Sequence, residues 1–142
     1  MGYVFASTYN SFFFYTGVNA FIMLVLGMLV VRARVKTQTE IGDGGGKPEM
    51  TGPLRAHANN TEYVPMGLLL MWCLVPLGAS IWLVHGVGVP LTLGRILHAV
   101  GLSRSTGVST WRFVGILLTW IAYIVGIVAV LWLVFFPSVP AS

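Results

Sequence analysis

Residues 12–31 form an unbroken run of 20 residues without one charged side chain, and residues 63–84 and 113–136 repeat the pattern over 22 and 24 residues. A helix rises about 1.5 Å per residue and crosses the roughly 30 Å hydrocarbon core of a bilayer in about 20 residues, so each run has the length of one crossing. A shorter apolar stretch, 86–102, continues the series but holds Arg95 and His98. Backbone in hydrocarbon must satisfy its own hydrogen bonds, which admits only helices or closed barrels, and none of these stretches alternates with the period of two that a barrel strand needs. The expected fold is an all-α membrane protein, an antiparallel bundle of four transmembrane helices. It is expected as one domain, 1–142, with spans at about 12–31, 63–84, 86–102 and 113–136 and a long loop at 32–55. Residues 85–90 are expected to make the tight turn between the second and third spans.

Composition narrows the class further. Hydrophobic residues make up 56% of the chain and charged residues 8%, against about 25% charged in a soluble domain. Mean hydropathy is +0.85. Eight basic residues against four acidic ones make no surface that tracks a phosphate backbone, so a nucleic-acid partner is not expected. Cys73, the single cysteine, excludes an intrachain disulfide and any cysteine-based metal site within one subunit, and a mid-span thiol is expected to pack. Residues 1–11 carry no Lys or Arg, unlike the start of a cleaved signal, so the first span is expected to stay.

The charges that remain read as topology. Arg32, Arg34, Lys36, Lys47 and Arg55 bracket the first loop, and Arg104 and Arg112 lie in the third. By the positive-inside rule both loops face the cytoplasm, and both termini lie on the other side. The glycine run 42–46 sits between two membrane helices rather than between a strand and a helix, so it reads as a solvated linker and not as a phosphate cradle.

Polar residues at span depth are the candidates for chemistry. Arg55-Ala56-His57-Ala58-Asn59-Asn60-Thr61-Glu62 runs without a breaker into the second span. At 3.6 residues per turn Arg55, Asn59, Glu62 and Met66 share a face, which places a cation, an amide and a carboxylate in one stripe. Arg95 and His98 lie one turn apart in the third span. A charged arginine at the bilayer centre costs about 2.5–3.5 kcal/mol on insertion scales, so Arg95 should turn into the bundle and find an acceptor. Glu62 is the only acidic residue near a span, and an Arg95–Glu62 contact, within or between subunits, is expected. No second histidine stands at ligand spacing from His98, so no metal is expected. In the fourth span Gly115, Ala122, Gly126 and Ala129 suit close helix packing. Arg112 at its start adds to the positive potential of a helix N-terminus, where an anion is welcome.

These residues together resemble the MAPEG family, the membrane-associated proteins in eicosanoid and glutathione metabolism. Residues 55–62 with Pro65 look like that family's Arg-Ala-His-x-Asn-x-x-Glu segment opening its second helix. Gly94-Arg95-Ile96-Leu97-His98 is a second element, and Val31-Arg32-Ala33-Arg34 at the end of the first span is a third. The resemblance implies a homotrimer with glutathione, as co-substrate, bound between subunits. It implies that Arg32, Arg55, Asn59, Glu62, Arg95 and His98 bind the tripeptide and that Arg112 stabilises its thiolate. The implied activity is a glutathione transferase or peroxidase acting on hydrophobic electrophiles that arrive from the lipid. The alternative is a non-catalytic lipid-binding or scaffold member of the same family. Ala58 stands where glutathione-using members often carry an additional arginine, and Leu102 where a tyrosine is common. Small multidrug transporters share the length and span number, but the glutamate they require in the first span has no counterpart in 12–31. A bacterial inner membrane is the expected location.

Overall fold

The computed structural model describes the backbone of residues 2–104, 107 and 109–137, and side chains over the same range except those of residues 2–6 and 104. The described residues form four α-helices and no strands: α1 (Gly2–Thr37), α2 (Pro48–Leu74), α3 (Ile81–Arg104) and α4 (Thr110–Phe135). They run up, down, up, down. α1 packs on α2 and α3, α4 packs on α2 and α3, and α3 and α4 make the most intimate pair. α1, at 36 residues, is about 54 Å long and overshoots the 12–31 span at both ends.

The turn between α2 and α3 lies at residues 75–80, ten residues before the expected 85–90, and this corrects both the second and the third span. Pro76 cannot donate to a continuing helix. Gly78 takes φ 72°, and the Ala79 N–H reaches the Leu74 carbonyl at 3.1 Å while the Gly78 N–H reaches Val75. This is a glycine C-terminal stop of the Schellman kind. A charge-free run of 22 residues is thus divided by backbone chemistry that a hydropathy ruler does not register. His85 to Pro90 belong to α3, and Pro53, Pro65 and Pro90 sit inside helices, as membrane helices tolerate when neighbours re-satisfy the freed backbone.

Three of the described helical segments are long and apolar enough to cross a membrane: Ser7–Thr37, Ile81–Ser103 and Thr110–Phe135. α2 is the exception. After its last charge, Glu62, only 12 residues remain before its end at Leu74, about 18 Å of helix. One face of its polar half lies along α3, with Gly52 against the Leu102 carbonyl. The buried face of α2 runs Gly52, Ala56, Asn60, Val64, Gly67, Met71, Leu74, a spacing of three and four that marks one helical stripe.

Glycine makes the α3–α4 contact possible. A Cβ on Gly115 would stand 2.5 Å from the His98 nitrogen and 2.7 Å from the Gly94 carbonyl, and one on Gly94 would stand 2.7 Å from the Gly115 carbonyl. The two backbones touch, as small residues allow in membranes. The inward stripe of α4 is Gly115, Thr119, Ala122, Gly126 and Ala129, while Phe113, Trp120, Ile124, Val128 and Leu131 are exposed. At the opposite end from the basic residues the core is tied by polar bonds: Tyr15 Oη to His85 Nδ1 at 2.8 Å, and Asn19 Nδ2 donating to Thr92 Oγ1 at 2.9 Å.

Candidate anion-binding cleft

The close approach of α3 and α4 sets the position of the most deeply buried charge among the described residues. Arg95 is 2% exposed. Its Nε and Nη2 donate to Thr119 Oγ1 on α4, the former at 3.1 Å. Its Nη1 donates to Asn59 Oδ1 on α2 at 2.7 Å and to the Asn59 carbonyl at 3.4 Å. The guanidinium also lies 5.0 Å from the centroid of the Tyr63 ring, within cation–π range. Tyr63 is held in turn, since the Tyr123 hydroxyl donates to its carbonyl at 2.6 Å.

Within the subunit the expected Arg95–Glu62 pair is replaced by neutral partners. Glu62 is exposed on the outer side of α2, as are Arg55 and Met66. Of the four residues in the sequence-derived stripe, Asn59 is the one that turns toward α3. The physical reason is rotational: α2 buries the 56–60–64 face, which carries 55, 62 and 66 to the opposite side.

In front of Asn59 lies an open cleft of about 590 Å³ between α2, α3 and α4, lined by Asn59, Tyr63, His98, Ser109, Arg112 and Ile116 among others. Among its described lining residues none is acidic. His98 is buried one turn beyond Arg95. Arg112 is half-buried, its side chain laid over Gly101, where a Cβ would meet Arg112 Cγ at 2.7 Å. Its Nη1 donates to the Gly107 carbonyl at 2.7 Å. Residues 105, 106 and 108 and the Arg104 side chain lie outside the described residues.

Three of the seven candidate residues, Asn59, His98 and Arg112, therefore line one cleft, and Arg95 stands behind its wall. Arg32, Arg55 and Glu62 are elsewhere on the surface of the subunit. Arg32 ends a separate apolar groove of about 760 Å³ along α1, which also includes Gly27, Met28 and His57. Neither Thr119 nor Tyr63 stands out as a site residue in the sequence. The signal for Thr119 was available: it is the one polar residue in the 115–119–122–126 stripe. Among the described residues no group of three His, Cys, Asp or Glu side chains converges as a metal-holding set.

The sequence profile of the MAPEG family matches residues 12–132. Inner membrane protein YecN of Escherichia coli strain K12 is 33% identical over 118 residues, which cover 83% of this chain and 88% of that protein. The protein of the same name from Escherichia coli O6:H1 matches with the same figures. No solved structure matches significantly.

Proposed function

This chain belongs to the MAPEG family, and from that premise we propose that it is a membrane-bound glutathione transferase or peroxidase acting on hydrophobic electrophiles. The observation that carries this reading is the cleft at the basic end of the bundle, where Asn59, His98 and Arg112 converge with no described acidic neighbour. Such a site favours a small anion that presents several acceptors, as a tripeptide with two carboxylates and a thiolate does.

The residues divide the work. Arg112 is the group proposed to face the sulfur. A thiol of ordinary pKa about 8.5 gains thiolate character when a guanidinium lies close, and each unit of lowering is about 1.36 kcal/mol of preference for the anion. The bound thiolate then supplies the nucleophile for conjugation or for peroxide reduction. Asn59 Nδ2 and the His98 ring hold carboxylate or peptide groups. The open groove along α1, lined mostly by apolar residues, offers the route by which a membrane-soluble electrophile arrives.

Arg32, Arg55 and Glu62 enter through assembly. A single subunit exposes Arg55 and Glu62 on α2, and Glu62 stands one turn before the exposed apolar Met66 and two before Leu69. Charges there are costly against hydrocarbon. A homotrimer that covers this face of α2 removes the cost and joins the Arg32–His57 groove of one subunit to the cleft of its neighbour, with glutathione between them. The positive-inside rule puts the basic end, and the mouth of the cleft, on the cytoplasmic side of an inner membrane, with both termini opposite.

A non-catalytic lipid-binding or scaffold role is the second reading. It is favoured by Leu102, a buried apolar side chain where a tyrosine is common in glutathione-using relatives. The deciding experiment is an ultraviolet difference spectrum of the purified protein with reduced glutathione. A thiolate band that disappears in Arg112→Ala supports the enzyme. A flat spectrum with the unmodified protein overturns it in favour of the scaffold.

A further inference from the structure

We propose that Arg95 and Thr119 are positioning residues that fix the polarity of the cleft by holding the Asn59 amide in one orientation. An arginine side chain carries only donors. The Asn59 atom that faces Arg95 Nη1 at 2.7 Å is therefore the carbonyl oxygen, and the amide nitrogen is the other arm of the planar carboxamide, turned away from Nη1. Asn59 lines the cleft, and its Nδ2 donates to no described group, so the nitrogen is what the cleft receives.

Thr119 makes this orientation rigid. Its own hydroxyl proton is committed to the Gly115 carbonyl at 2.9 Å, which leaves the oxygen's lone pairs for Arg95 Nε and Nη2. The Tyr63 ring covers a face of the guanidinium. Arg95 is thus immobile and, at 2% exposure, has no surface with which to touch a solute. Its charge acts through Asn59. A free carboxamide flips at little cost and would present oxygen as readily as nitrogen. The pinned one presents a donor only, beside His98 and Arg112, so the cleft favours the anionic, acceptor-bearing groups of a ligand. The Gly94–Gly115 contact is a part of the device, because it brings Thr119 within reach of α3.

This inference rests on the glutathione reading only for the identity of the anion. The test uses the full-length protein in detergent, with calorimetric titration of reduced glutathione and of inorganic sulfate alongside thermal melting. Asn59→Asp keeps an acceptor for Arg95 but turns a second oxygen to the cleft. It is expected to melt no lower than the unmodified protein and to bind both anions at least about tenfold more weakly, the scale of a lost charge-assisted hydrogen bond replaced by repulsion. Thr119→Val keeps the shape and removes the acceptor. It is expected to weaken both anions by about three- to tenfold, and Thr119→Ser is expected to restore affinity to within about twofold because it keeps the hydroxyl. Unchanged affinity in Asn59→Asp, or in Thr119→Val, overturns the proposal and leaves the glutathione reading standing. Sulfate binding that depends on Asn59 without any glutathione binding overturns that reading and supports the polarity device. Binding of neither anion by the unmodified protein overturns both. Should Asn59→Asp fail to fold, the Thr119→Val and Thr119→Ser pair decides the matter.

Discussion

Replacing Gly115 with alanine tests the load placed on the α3–α4 contact. The added methyl would stand 2.5 Å from the His98 nitrogen, 2.7 Å from the Gly94 carbonyl and 2.8 Å from His98 Cα. All three are backbone atoms, so no side chain can swing away. Restoring a contact of 3.4 Å requires the helices to part by about 0.9 Å. That displacement, one turn from Thr119, takes the 3.1 Å bond from Arg95 Nε to about 4 Å, beyond hydrogen-bond range. Overpacking of this kind costs about 1–3 kcal/mol, and the weakened hold on a buried guanidinium adds about 1–3 kcal/mol. Gly115→Ala is therefore expected to lose about 2–6 kcal/mol, read as a lowered denaturation midpoint in detergent. Two controls bracket it. Gly126→Ala meets side-chain atoms, Leu70 Cβ at 3.2 Å and Leu70 Cδ1 and Val87 Cγ2 at 3.5 Å, and Gly17→Ala meets nothing within 4 Å. The first is expected to be near neutral, and the second to be neutral or stabilising by about 0.5–1 kcal/mol through helix propensity. A Gly115→Ala protein as stable as the Gly17→Ala protein would refute the claim that backbone contact at this point sets the helix separation.

Removing the amide altogether, in Asn59→Leu, leaves Arg95 Nη1 only the backbone carbonyl of residue 59 at 3.4 Å and is expected to cost about 1–3 kcal/mol, measured by chemical denaturation. Glu62→Ala touches no partner of Arg95, so the packing of the individual subunit is expected to change by less than about 0.5 kcal/mol; a large loss of helix content in this variant would show that Arg95 depends on Glu62 after all. Gly78→Ala places a side chain at φ 72° and is expected to destabilise the α2–α3 turn by about 1 kcal/mol, seen as a lower melting temperature. Single cysteines introduced into 37–47 are expected to react with a membrane-impermeant thiol reagent from the cytoplasmic side only; labelling from the outside would reverse the proposed orientation.

Particular residues show where sequence reasoning stops. The inward stripe of α4 was legible because Gly115, Ala122, Gly126 and Ala129 recur at helical spacing, and periodicity needs no partner to be visible. Asn59, His98 and Arg112 were legible as polar residues at depth, and the structure places all three on one cleft. The partner of Arg95 was not legible. Matching opposite charges points to Glu62, but two neutral oxygens, from Asn59 and Thr119, are what the rotation of α2 and the approach of α4 bring within reach. The α2–α3 turn was misplaced because absence of charge says nothing about where Pro76 and Gly78 stop a helix.

The number of helices, their membrane character and the end at which the cations gather follow from the amino-acid string alone, because transfer into hydrocarbon is a property each residue carries wherever it sits. Which face of a helix meets which neighbour is a property of pairs. It depends on helix rotation and on separations of a few tenths of an ångström, set here where Gly94 meets Gly115. Only the folded arrangement therefore decided that Arg95 lies behind the cleft wall, that Asn59 is its intermediary, and that Arg55 and Glu62 look outward.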